Sequence, residues 1–194
     1  MPNGGAINPR VCVAYARSRG RTPFFSPEEC AAVIQWAEGK QFATVRAGSD
    51  GAIANTRRHR QLKITHPVSD EEILWFSNKL EHLIFALNER IWKFDLTHIS
   101  ETFIVKYESG DRVDRHMDLG IDRADRKLVL LVQLSAADAY VGGAVDYGLP
   151  PAIRASRDQG AVLALTSWTP HRVAPVKSGI RYSAACLAVG PSFR

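Results

Sequence analysis

With 194 residues, 45% hydrophobic and 23% charged, the chain can bury one sizeable core and is too short for two comfortable ones, so a single domain is expected over 1–194. A formal charge of +5 and a pI near 9.3 fit an anionic partner, whether a small acid, an acidic peptide or a nucleic acid, and do not choose among these. There is no apolar run long enough for a membrane span, no signal-peptide pattern in MPNGGAINPR, and no disulfide framework in three scattered cysteines (Cys12, Cys30, Cys186); these exclusions lead to the expectation of a cytoplasmic protein with reduced, buried thiols.

In chain order, residues 1–10 read as a loose tail and VCVAYA (11–16) as a first strand. SPEECAAVIQWAEG predicts a helix with Ser26 at its N-cap, Pro27 at the first helical position, Glu29 closing a capping box and Gly39 as the stop. Its residues Cys30, Val33, Ile34 and Ala37 share one face. Residues 46–63 read as a loop of small residues followed by Arg57, Arg58, His59 and Arg60. This run is expected to be a solvated surface loop, or else a flap whose arginines meet an anionic group on a substrate.

A second helix is expected from Ser69, with Glu72 completing another capping box, and Ile73, Phe76, Leu80, Leu83, Ile84 and Leu87 forming its apolar stripe. His59, His66, His82 and His98 have no ligand partner at a useful spacing and are assigned no chemistry. Beyond residue 94 the period becomes strand-like, at 99–107, KLVLLVQL, 161–165 and RYSAACLAVG, with turns at Ser109-Gly110, Gly142-Gly143, Gly148-Leu149-Pro150 and Ser178-Gly179. Short strands without intervening helices predict an α+β protein whose strands close into a double-sheet jelly roll.

Four residues within the strand-rich half stand out. His116 and Asp118 are two apart, which places both side chains on one face of an extended segment. His171 lies in a turn after the strand at 161–165, from which it can approach that pair. Two imidazoles and a carboxylate are the donor set of a non-haem iron site with positions left open. Arg181 follows at the start of an apolar strand; a guanidinium there is costly unless it meets a carboxylate, and no acidic residue is near in sequence. A bound dicarboxylic acid would satisfy it.

YESGDRVDRHMD, VGGAVDYG and HRVAPVKSGIRYS resemble segments of the iron(II)- and 2-oxoglutarate-dependent oxygenases, most closely the prolyl-4-hydroxylase-like branch with its PKHD-type hydroxylases; FFSPEECAAVI resembles that family's opening helix. The resemblance implies a double-stranded β-helix core with N-terminal helices packed on one sheet. It also implies His116, Asp118 and His171 as the catalytic iron ligands, Arg181 on the distal carboxylate of 2-oxoglutarate, and Tyr107 and Ser183 as helpers on the same co-substrate. The implied activity is O2-dependent hydroxylation of an unactivated C–H bond, with release of succinate and CO2, on an amino acid, peptide or small metabolite. Asp118 sets the pattern apart from halogenating relatives, which lack that carboxylate. The absence of a second downstream arginine pattern ranks nucleic-acid demethylation low. A non-catalytic jelly-roll module with a vestigial or structural metal site, and a nucleic-acid-binding domain built on the run at Arg57, are the competing readings.

Overall fold

The structure, a computed structural model, describes residues 13–16, 23–46 and 57–193. In chain order these form β1 (Val13–Ala16), α1 (Pro27–Glu38), β2 (Ala43–Arg46), β3 (Arg57–Ile64), α2 (Glu71–Arg90), β4 (His98–Tyr107), β5 (Arg112–His116), β6 (Arg126–Gln133) and β7 (Tyr140–Gly142). They continue with β8 (Val145–Tyr147), β9 (Ile153–Arg154), β10 (Val162–Thr166), β11 (His171–Val173), β12 (Val176–Gly179) and β13 (Arg181–Val189), and a single 3-10 turn covers Ile121–Arg123. The predicted tail, Cys12 and residues 47–56 lie outside the described residues.

The strands pair antiparallel in the order β1-β10-β6-β13-β4-β3-β5-β11-β8-β9, with β2 also on β3 and a separate β12-β7 ribbon. β3 is the corner. Its residues 60–64 pair with β4, whereas Arg57 and Arg58 pair with β5. The sheet therefore curls from a long wall into a short one, giving the expected double-stranded β-helix core.

The long wall obeys the two-residue period of a strand. On β13, Tyr182, Ala184, Cys186 and Ala188 join the core beneath the helices, as do Leu128, Leu130 and Val132 of β6 and Leu62 and Ile64 of β3. The helices meet them with Cys30, Val33 and Ala37 from α1 and Ile73, Phe76, Leu80 and Ile84 from α2. The alternate residues, among them Arg181 and Ser183 of β13, Glu101 and Tyr107 of β4 and Val129 of β6, face the hollow of the barrel. A one-residue slip would exchange the two sets, so burial of the helix-facing set holds the register of the other.

The first helix forms as expected. Ser26 Oγ accepts from Glu29 N at 3.2 Å, Ser26 N donates to Glu29 Oε2 at 2.8 Å, and Gly39 ends the helix. The second starts one residue later than predicted, because Asp70 and not Ser69 is its N-cap. Asp70 Oδ1 accepts from Glu72 N at 3.1 Å while Oδ2 takes Trp36 Nε1 and Lys40 Nζ, each at 3.1 Å. One carboxylate thus caps α2 and ties it to α1, which a serine hydroxyl cannot do.

The largest departure from expectation is at residues 46–63. The predicted loop holds the end of β2 and most of β3, and its basic run is strand from Arg57 onward. Among the described residues no helix is long and apolar enough to cross a membrane. Cys30 and Cys186 are buried free thiols, as expected for two of the three cysteines.

Candidate metal centre

His116 ends β5 and His171 begins β11, and the two are register partners across that antiparallel pair. Their rings lie 4.3 Å apart, centroid to centroid. Asp118 follows β5 in a turn that Ser167 grips, its carbonyl accepting from Asp118 N at 2.8 Å and Leu119 N at 2.9 Å. Ser167 lies between β10 and β11, so the same short segment sets both Asp118 and His171. The three ligand atoms all fall within 4.8 Å of one another. His116 Nε2 is 3.5 Å from Asp118 Oδ1, and His171 Nε2 is 3.7 Å from Oδ2.

The backbone sets the imidazole tautomers. His116 Nδ1 is 2.9 Å from the Asp114 carbonyl, and His171 Nδ1 is 3.0 Å from the Thr169 carbonyl. A carbonyl only accepts, so each Nδ1 carries the donated proton and Nε2 is the nitrogen each ring turns toward Asp118. Burial alone would raise the Asp118 carboxyl, but His171, His116 and Arg126 together hold it well below the ordinary carboxylate range. Burial lowers His171, against the pull of Asp118. Two Nε2 atoms and a carboxylate converge on one point, and a cation there would take the place of the Nε2 protons and satisfy all three. Two nitrogens and one oxygen suit a first-row divalent metal and leave other coordination positions open, so the residues fit the iron site expected of them.

The same hollow, about 970 Å³ in volume, holds the second predicted group. Arg181 is 3% exposed; its Nε and Nη2 donate to Gln133 Oε1 at 3.2 and 2.9 Å, and Nη1 donates to Ser183 Oγ at 3.3 Å. Its guanidinium carbon lies 5.1 Å from the Tyr107 ring, and Tyr107 is its register partner on β4. Burial raises the Tyr107 phenol, with Arg181 and Ser183 acting against that. Gly143, at φ +59, makes room for the arginine stem, since a Cβ there would stand 3.0 Å from Arg181 Cδ. Among the described residues no carboxylate pairs with Arg181, and a buried guanidinium without an anion is a binding group short of its ligand.

All six predicted residues therefore line one hollow, except that Gln133, absent from the sequence reading, is the residue that aims Arg181. His59 was also missed. It is buried on β3, faces the hollow, and its ring centre lies 5.6 Å from that of Tyr107. Burial, more than the charge of Arg57, lowers its pKa. Its one signal in the sequence is its odd-numbered place in the basic run, which has meaning only on a strand. At the other end of the hollow Glu101 accepts from Lys63 Nζ at 2.9 Å and Arg126 Nη2 at 2.6 Å. His66, His82 and His98 hydrogen-bond to Thr102, the Asn78 carbonyl and Thr97, away from the cluster of His116, Asp118 and His171.

No protein-family model and no curated protein sequence matches the chain. Solved structures do. A prolyl-4-hydroxylase of Pseudomonas putida superposes with a TM-score of 0.72 at 15% identity, covering 93% of this chain and 94% of that one. A Trichoplax adhaerens prolyl hydroxylase, solved with a hypoxia inducible factor peptide fragment, gives 0.73 at 18% identity, covering 92% and 83%. The viral collagen prolyl hydroxylase of Paramecium Bursaria Chlorella virus-1, solved as its 2-oxoglutarate complex, gives 0.66 at 20% identity, covering 93% and 97%. At these identities the likeness establishes a shared fold.

Proposed function

We propose that the chain is an Fe(II)- and 2-oxoglutarate-dependent dioxygenase that hydroxylates an unactivated C–H bond of an amino acid, peptide or small metabolite, releasing succinate and CO2. The observation that carries this reading is the conjunction in one hollow of the His116, Asp118 and His171 acceptor cluster with a buried arginine that lacks a carboxylate. The fold it shares with prolyl hydroxylases supports the same reading.

The iron and its co-substrate would supply the oxidising chemistry, 2-oxoglutarate being decarboxylated as O2 is reduced. The chain's residues supply orientation and exclusion. His116, Asp118 and His171 would hold the metal from one side, with their geometry maintained by the carbonyls of Asp114, Thr169 and Ser167. Arg181 would take the far carboxylate of 2-oxoglutarate in its fork, while Gln133 keeps the guanidinium plane fixed and Tyr107 and Ser183 offer hydroxyls beside it. Apolar residues Phe103, Val129 and Leu131 line the wall between and keep water from the reacting centre. A cytoplasmic setting, where thiols such as Cys30 and Cys186 stay reduced, belongs to this proposal.

The test is an anaerobic titration of metal-free protein with Fe(II) and then 2-oxoglutarate, following the weak visible charge-transfer band of the chelate. The band is expected in the wild type and is expected to be lost in His171→Ala and weakened in Arg181→Ala. A folded, iron-binding wild type without the band overturns the proposal in favour of a jelly-roll binding module.

A further inference from the structure

The basic run resolves into two halves once β3 is in place. Arg58 and Arg60 point away from the hollow and are committed, Arg58 Nε lying 3.0 Å from Asp111 Oδ1 and Arg60 pairing with Glu108. Arg57 and His59 point into the hollow, where His59 Nε2 has one long contact, 3.4 Å to Gln61 Oε1. Arg57 has no ion pair among the described residues, its buried Nε has no hydrogen-bond partner, and neither has the buried Nδ1 of His59. Arg57 sits beside Val113 of β5, three residues before His116, and lines the same hollow as Tyr107, Arg181 and His171. It therefore shares one wall-lined space with both the arginine site and the metal ligands.

Charge in the hollow makes Arg57 informative. On the reading proposed above, on which this step rests, a divalent cation and Arg181 are balanced, charge for charge, by Asp118 and the dianionic co-substrate. Lys63 and Arg126 share Glu101. Each of those two cations touches a carboxylate, whereas among the described residues Arg57 touches none. A guanidinium in a partly desolvated hollow is costly in that state, and carboxylate is the group its fork fits best. We infer that Arg57, with His59 beside it, binds a carboxylate of the substrate that is oxidised, so that the substrate is a free carboxylic acid of amino-acid size and not an internal residue of a peptide.

The probes are free L-amino acids and their C-terminal amides, added anaerobically to protein loaded with Fe(II) and 2-oxoglutarate. Binding is read from the shift of the charge-transfer band and from thermal unfolding. At least one free acid is expected to bind, with its amide weaker by about tenfold or more; Arg57→Met should lose the same factor for the acid and Arg57→Lys recover part of it. Arg60→Gln removes an equal charge from the same strand outside the hollow and should bind the acid as the wild type does. Acid and amide binding alike, or no acid binding the wild type more tightly than it binds Arg57→Met, overturns the inference; so does an Arg57→Met variant whose 2-oxoglutarate affinity falls as far as that of Arg181→Ala, which would make Arg57 a co-substrate residue. The acid and amide contrast needs only wild-type protein, so it stands even if Arg57→Met does not fold. A wild type without the band sinks the dioxygenase reading itself, whereas a normal band with no carboxylate preference sinks only this step.

Discussion

Neighbouring residues of β13 live under opposite rules. Tyr182, Ala184, Cys186 and Ala188 are packed beneath two helices in an apolar core, and the one hydroxyl among them, on Tyr182, donates to Glu38 Oε1 at 2.8 Å. Arg181 and Ser183 face a hollow whose polar groups are only partly satisfied by the protein. One face of the wall stores stability, while the other keeps polar groups waiting for ligands and depends on the first to stay in register. The cost of an unsatisfied cation or acceptor cluster is tolerable only because the opposite face holds the strands in place.

If the two faces are separable in this way, substitutions should move one property and spare the other. The largest effect belongs to the hollow. His171→Ala should weaken Fe(II) binding by more than ~100-fold, the upper end of what losing a merely orienting partner costs, with stability changed by only about 1 kcal/mol. Calorimetric metal titration and urea unfolding of the same sample check both halves. Next comes the helix face: Leu80→Ala, at a position wholly buried under the sheet, should cost about 2–5 kcal/mol in urea unfolding and leave metal affinity of the folded fraction unchanged. A large affinity loss in Leu80→Ala would show that the faces are coupled.

A smaller effect comes from the thiols. Burial pushes Cys30 and Cys186 from 9.0 up to about 12. A raised folded value means the folded state holds its proton more tightly, so this stability is complete below pH 9 and drains away as pH climbs toward 12. The urea midpoint should therefore fall more steeply between pH 8 and pH 10.5 in the wild type than in Cys186→Ala, whatever the absolute stability of the variant. The smallest effect tests the helix start. Asp70→Ala should cost about 1 kcal/mol, and Ser69→Ala should stay within about 0.5 kcal/mol, in the same urea assay.

What could be read from sequence follows the same division. The helix face announces itself through apolar spacing, and so α1, α2, β6 and β13 are recognisable from residues alone. The candidate metal centre is legible for another reason: His116 and His171 stand at strand ends and Asp118 in the turn after β5, all polar residues that no apolar period accounts for. β3 is the failure. Arg57, His59, Gln61 and Lys63 face a polar hollow, and Arg58 and Arg60 face carboxylates on the other side, so neither face carries an apolar period until Leu62 and Ile64. A strand that is polar on both sides reads as a loop. Ser69 misled in a milder way, since S-x-x-E is a good capping pattern and only Asp70's second duty toward Trp36 and Lys40 displaces it.

The two carbonyls that aim the imidazoles have one further implication. Asp114 and Thr169 each act through the main chain, and a main-chain oxygen survives every side-chain replacement at its position. Orientation of the two imidazoles is thus insulated from amino-acid changes in their surroundings, and the walls of the hollow can be rewritten residue by residue while the pair stays aimed.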